Sequence, residues 1–133
     1  ILLIRSHFDS KRPEIKKMTA SQIVDQVKRG IRAKVLNPIK ESQINEAKKL
    51  FEKYDKSRLV EERFILEPKM ILPSQILIYG NKTSMTTIKE SVITTIIDNY
   101  DITQTFRMLF SFMWELSTVQ HNKIVKNWKQ EEV

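Results

Sequence analysis

Apolar residues along this chain recur at two periods, and the places where the period changes divide it into strands and helices. Ile1 to Arg5 opens as a short apolar run that reads as a first strand, and the polar stretch from Ser6 to Lys17, broken at Pro13, reads as a loop or linker. Thr19 with Gln22 forms a capping box. Ile23, Val24 and Val27 then make one apolar stripe, and Gly30 sits where a helix stop belongs. Ile31, Ala33 and Val35 alternate with Arg32 and Lys34, the period of a strand, which Asn37-Pro38 is expected to end. From Ser42 the spacing returns to threes and fours through Ile44, Ala47, Leu50, Phe51 and Tyr54, giving a surface helix.

Val60 to Leu66 is a further strand, and Pro68 and Pro73 bracket a loop. Gln75 to Tyr79, the tight turn Gly80-Asn81, Thr83 to Ile88 and Ser91 to Ile97 then read as three consecutive strands rich in β-branched residues. Asp101 with Gln104 is expected to cap a helix striped by Ile102, Phe106, Leu109, Phe110 and Met113. Beyond Ser117 the chain turns polar, and Ile124, Val125 and Trp128 line one side of a short helix that packs on the domain or on a second subunit. Helices alternating with strands, followed by a meander and a last long helix, predict an α/β fold: a mixed β-sheet sandwiched by helices.

The length of 133 residues suits a single domain with its own core, and a 41% hydrophobic content suits a folded chain. The absence of cysteine removes disulfides, thiol catalysis and thiolate metal sites. Two histidines without HExxH spacing give no support to a catalytic zinc site. The opening ILLI is too short for a signal or membrane segment. A start at Ile1 rather than Met points to a piece of a longer, cytoplasmic protein.

The net charge of +7, much of it from Lys11, Arg12, Lys16, Lys17, Lys28, Arg29, Arg32 and Lys34, raises a basic nucleic-acid-binding module as one reading. Solvated lysines are the plainer account, since acidic residues interleave from Glu41 onward and no RNA- or DNA-binding motif accompanies the charge.

The stretch LPSQILIYGNKTSMTTIKESVITTIIDNYDITQTFRMLFSFMW, from Leu72 to Trp114, resembles the C-terminal half of a phospholipase D-like domain. It is most similar to the effector-sensing domains of TrmB-like transcriptional regulators, where an IVD(D/N)K strand and turn precede an FxxxW helix. QIVDQVKRGIRAKVLNP, from Gln22 to Pro38, resembles the helix and strand that come before. The likeness spans roughly residues 20 to 117. It implies a sensor domain over 1–117, with 118–133 as a C-terminal helical tail.

Phospholipase D enzymes carry HxKxxxxD on the strand that here reads Pro73 to Gly80. The nucleophile position falls on Pro73, the phosphate-binding lysine on Gln75 and the orienting aspartate on Gly80. None of these side chains can do the corresponding work, so the resemblance implies a fold without the reaction. His121-Asn122-Lys123 repeats the HxK spacing, but Trp128 stands where the aspartate belongs.

What the resemblance implies instead is a non-catalytic, homodimeric sensor with no cofactor and no metal. It would bind a small metabolite, such as a sugar, in a vestigial cleft and reach DNA through an N-terminal domain. A sensor attached to another signalling protein is the alternative. The cleft would lie near Ser74, Gln75 and Asn81, although Ser and Asn at turns usually serve the turn itself. Arg63 is either half of a surface pair or an anion clamp facing the cleft. Trp114 either packs in the core or covers the mouth of the cavity. His7, with Asp9 two residues on, is an exposed loop histidine or a ligand contact.

Overall fold

The computed structural model describes residues 1–6, 13–14, 17, 21, 25–26, 28–55, 59–66 and 72–131. The elements with described bounds are β1 (Leu2–Ile4), β2 (Ala33–Ile39), a 3-10 turn (Glu41–Gln43), α1 (Ile44–Asp55) and β3 (Val60–Leu66). They continue with β4 (Ser74–Tyr79), β5 (Lys82–Thr87), β6 (Ile93–Asp98), α2 (Tyr100–Leu116) and α3 (Thr118–Glu131). The strands form one six-stranded sheet in the order β3-β2-β1-β4-β5-β6. β1, β2 and β3 run parallel, while β4 lies antiparallel to β1 and opens a meander through β5 and β6. The fold is therefore α/β with a mixed sheet, as the alternation of periods predicts.

The stripe of Thr19, Gln22, Ile23, Val24 and Val27 lies outside the described residues, as do His7 and Asp9. Backbone at 13–14, 17, 21, 25–26 and 28 is nevertheless helical, so the described residues from Pro13 to Lys17 are not the loop or linker expected of them. A proline's fixed φ and missing N–H are compatible with the first turn of a helix. The stop at Gly30 is present: its φ is +71°, and Ile31 N donates to Gln26 O at 3.0 Å.

Asn37-Pro38 does not end β2, which runs on to Ile39. Lys34 N bonds Ile1 O and Arg5 N bonds Leu36 O, so even-numbered residues of β2 turn their backbone toward β1. Pro38 therefore points its missing donor at the side that β1 has already left, while Asn37 and Ile39 keep the pairing with Phe64 and Leu66. A proline is tolerated where a strand is locally an edge.

The cap of α2 also differs from expectation. Asn99, not Asp101, is the N-cap, and its side chain accepts from Ile102 N at 3.0 Å. Asp101 lies in the first turn, where a negative charge suits the helix dipole.

Side-chain alternation assigns the two faces of the sheet. Leu2, Ile4, Leu36, Ile76 and Ile78 share one face, and α2 packs Phe110 and Trp114 onto it. Ile39, Phe64 and Leu66 lie on the other, against Ala47 of α1 and Ile124 and Trp128 of α3. A third cluster, Leu3, Ala33, Val35 and Val60, sits on that second face nearer the N-terminal ends of the parallel strands.

α3 passes from one face to the other around the outer edge of β3. Its start is tied to the α2 face by Thr118 Oγ1, which accepts from Arg63 at 2.7 Å. Its end reaches the opposite face at Trp128, edge-on to Phe64. Along the way His121 Nδ1 accepts from Phe64 N at 3.2 Å, and Gln120 Oε1 accepts from Leu66 N at 3.0 Å. These are donors that β3 turns away from β2, so the helix closes an edge that would otherwise invite another strand.

Candidate functional site

Buried polar residues gather around the end of β1 and the neighbouring stretches of β2 and β3. Arg5 follows directly on β1 and is 5% exposed, and Asn37 and Glu62 are also buried. Asn37 Nδ2 donates to Glu62 Oε1 at 3.0 Å. The pairs Ile4–Leu36 and Ile4–Ile76 place Arg5, one residue further along, beside Asn37 and level with Gln75 of β4. By alternation Arg5, Asn37, Glu62 and Gln75 all face the α1 side of the sheet. Such a row gathers cationic, amide and carboxylate groups on one face of the sheet around the end of β1.

Sequence patterning did not single out Arg5, Asn37 or Glu62. The signal was present at Glu62, which shares a phase with Val60 and Phe64 and so occupies a position whose neighbours are both core. A charge at an inward phase is costly without a partner, and that makes it informative.

Of the five residues suggested by the resemblance, the structure brings two together. Arg63 stacks on the Trp114 ring, 4.3 Å from guanidinium carbon to centroid, and donates from the same nitrogen to Trp114 O and Thr118 Oγ1, both at 2.7 Å. Lys34 Nζ lies 5.4 Å from the same ring. Trp114 is buried and stacked on Phe110 at 5.6 Å, which is the core placement of the two left open for it. Arg63 is half-buried and bonds the last turn of α2, which is neither a surface pair with a carboxylate nor a contact in the polar row.

Ser74 and Gln75 begin β4, while Asn81 lies in the turn at its far end, roughly 20 Å away along the strand. The Asn81 carbonyl accepts from Asn99 N and from Thr103 Oγ1, and the neighbouring Gly80 carbonyl accepts from Arg107. That turn anchors the first half of α2. Pro73, Gln75 and Gly80 are likewise spread along the length of β4. A depression of about 250 Å³ lined by Ile1, Arg32, Lys34, Leu59 and Glu61 opens at the opposite end of the parallel strands from the polar row.

His121 serves the fold. Besides accepting from Phe64 N, its ring stacks on Phe64 at 5.7 Å and lies against Phe51 at the same distance. Burial holds its pKa below the usual histidine value, Arg63 adds to that, and Glu61 opposes it. A folded-state value below the unfolded one means that the unfolded chain binds more protons as pH falls. Stability is therefore retained above about pH 6.5 and lost progressively below it. The urea midpoint should drop between pH 7.5 and 5.5, and His121→Asn should flatten that dependence. An unchanged slope in the variant would assign the titration to another group.

Among the described residues no group of three or more His, Cys, Asp and Glu side chains is placed to hold a metal ion. No described helix is long and apolar enough to cross a membrane. Comparison with protein-family models, with curated proteins and with solved structures finds no match to this chain.

Proposed function

We propose that the chain is the effector-sensing and dimerisation domain of a cytoplasmic transcriptional regulator similar to the TrmB-like proteins. In this reading it binds a small metabolite, performs no catalysis on it, and acts on DNA through a domain outside this sequence. The observation that carries the reading is the row of polar residues Arg5, Asn37, Glu62 and Gln75 on one face of the sheet, around the end of β1. The paired amide and carboxylate, with a guanidinium and a second amide in the same row, suit a neutral, hydroxyl-rich ligand such as a sugar better than a phosphate. The positions that would carry phospholipase D chemistry hold Pro73, Gln75 and Gly80, which supply neither nucleophile nor base.

A sensor of this kind must bind its effector better in one arrangement than in another. The direct test is thermal unfolding against a metabolite panel that includes mono- and disaccharides. One chemical class should raise the melting temperature in a saturable way, with a stabilisation of about 2.7 kcal/mol at a hundredfold excess over Kd. Gln75→Leu, a change at a half-buried position, should remove the shift while leaving the unliganded melting temperature within a few degrees, as about 1 kcal/mol or less requires. Absence of any shift across the panel, or one untouched by Gln75→Leu, would count against a site in this row.

A further inference from the structure

α2 is apolar around much more of its circumference than one contact with a sheet requires. At 100° per residue, Phe106, Phe110, Met113 and Trp114 span the side turned to the sheet. Met108, Leu109, Phe112 and Leu116, together with Ile102, continue the apolar arc of α2 onto the solvent side, Val119 follows at the start of α3, and all six are exposed. Gln104, Arg107, Ser111 and Glu115 fill the remaining strip of the helix, and exposed Thr105 is the one polar residue between Thr103 and Leu116 that falls within the outer apolar arc. A surface helix usually buries a single apolar stripe, and a second, exposed apolar face marks a surface for a further partner.

The exposed residues are also ordered. Ile102, Leu109, Phe112, Leu116 and Val119 are separated by seven, three, four and three residues, the spacing of a seam that packs on another helix, with Thr105 at the position between the first two. At Ser117 the two helices meet with bonds of helical spacing on either side, Ser117 N to Met113 O and His121 N to Ser117 O. The two ends of the seam carry opposite charge. Exposed Asp98 and Asp101 stand at the start, and exposed Lys123 and Lys126 follow the end.

We propose that two copies of the chain associate through this seam, α2 against α2 in antiparallel orientation, about a two-fold axis passing between Leu109 and Phe112. That axis sets Leu109 of one copy against Phe112 of the other and Ile102 against Val119. It also brings the acidic start of each helix to the basic end of its mate. A parallel arrangement would instead place like charges together at both ends, which disfavours it. The same patch serves on both copies, as a two-fold interface demands. The inference gives the proposed sensor its dimer contact but rests on this surface alone.

Sedimentation equilibrium of the chain should return twice its 15.8 kDa mass. Leu109→Glu should weaken association by about thirtyfold or more, the fold-change of a central interface residue, with helical circular dichroism retained because Leu109 is half exposed. Since the chain has no cysteine, Leu109→Cys and Phe112→Cys can be mixed and oxidised. The mixed disulfide should form faster than either self-pair. A monomer at every concentration, a dimer indifferent to Leu109→Glu, or preferential self-pairing of Leu109→Cys would each overturn the proposal. None of these readings involves a metabolite, so failure here and failure of effector binding are separate results.

Discussion

Ending the chain at Ser117 should abolish cooperative unfolding altogether. α3 looks dispensable by composition, yet it buries Ile124 and Trp128 in the cluster that holds Phe64 and Ile39. Phe64 is fully buried and meets Trp128, His121 and Phe51 at ring distances of 5.4 to 6.0 Å, so removal of α3 strips two of its three aromatic neighbours. Burial of each large apolar side chain contributes roughly 1.5–3 kcal/mol, and exposing Phe64 adds a similar loss. Together these approach the whole of an ordinary domain's stability of about 5–15 kcal/mol. The outer donors of β3 would also be freed, leaving an unpaired edge beside newly exposed apolar surface. Thermal melting of the 1–117 chain should show no sigmoidal transition and the sample should aggregate. A transition as steep as that of the intact chain would place the core elsewhere.

Phe110→Ala should cost about 3–5 kcal/mol, the usual range for deleting a buried aromatic ring. Phe110 is 2% exposed, packs with Ile4, Leu36 and Ile78 on the sheet, and stacks on Trp114. The cavity cannot close easily because α2 is fixed on either side of it. Thr103 bonds the Asn81 carbonyl and the Thr83 hydroxyl at one end, and Arg63 holds the Trp114 carbonyl at the other. Urea unfolding measures the loss directly, and a change under about 1 kcal/mol would mean that the helix relaxes onto the sheet far more freely than these bonds allow.

Much of the architecture was legible because period decides element type. The stripe from Phe106 to Met113 and the β-branched runs around Gly80-Asn81 appear as a helix and a two-residue hairpin. What sequence could not give was direction in the plane of the sheet. Whether Pro38 breaks a strand depends on which side its nitrogen faces and on where β1 ends, and neither is encoded locally. Asp101 and Asn99 both precede an apolar stripe, and only the extended backbone of Asn99, with φ −156°, makes it the cap.

The candidate site was less legible for the same reason. Ser74, Gln75 and Asn81 lie close in sequence but at the two ends of one strand, whereas Arg5, Asn37, Glu62 and Gln75 meet only once β1, β2 and β4 are aligned. The spacing of His121 and Lys123 matched a catalytic motif, while the imidazole's contacts are those of an edge cap.

β1 contributes three residues to the middle of the sheet, between neighbours of seven and six. Three register pairs join it to each side, against seven between β2 and β3 and six within each hairpin of the meander. Mechanically, the parallel and antiparallel halves are two stiff plates meeting at a narrow seam. Past Ile4 the pairing ends, and buried Arg5 and Ser6 run between Asn37 on one side and Gln75 on the other, Arg5 N still bonding Leu36 O and Ser6 Oγ bonding Leu72 O. α2, tethered to the Gly80-Asn81 turn on one plate and to Arg63 on the other, spans the seam like a strut and braces the place where the sheet has fewest pairs.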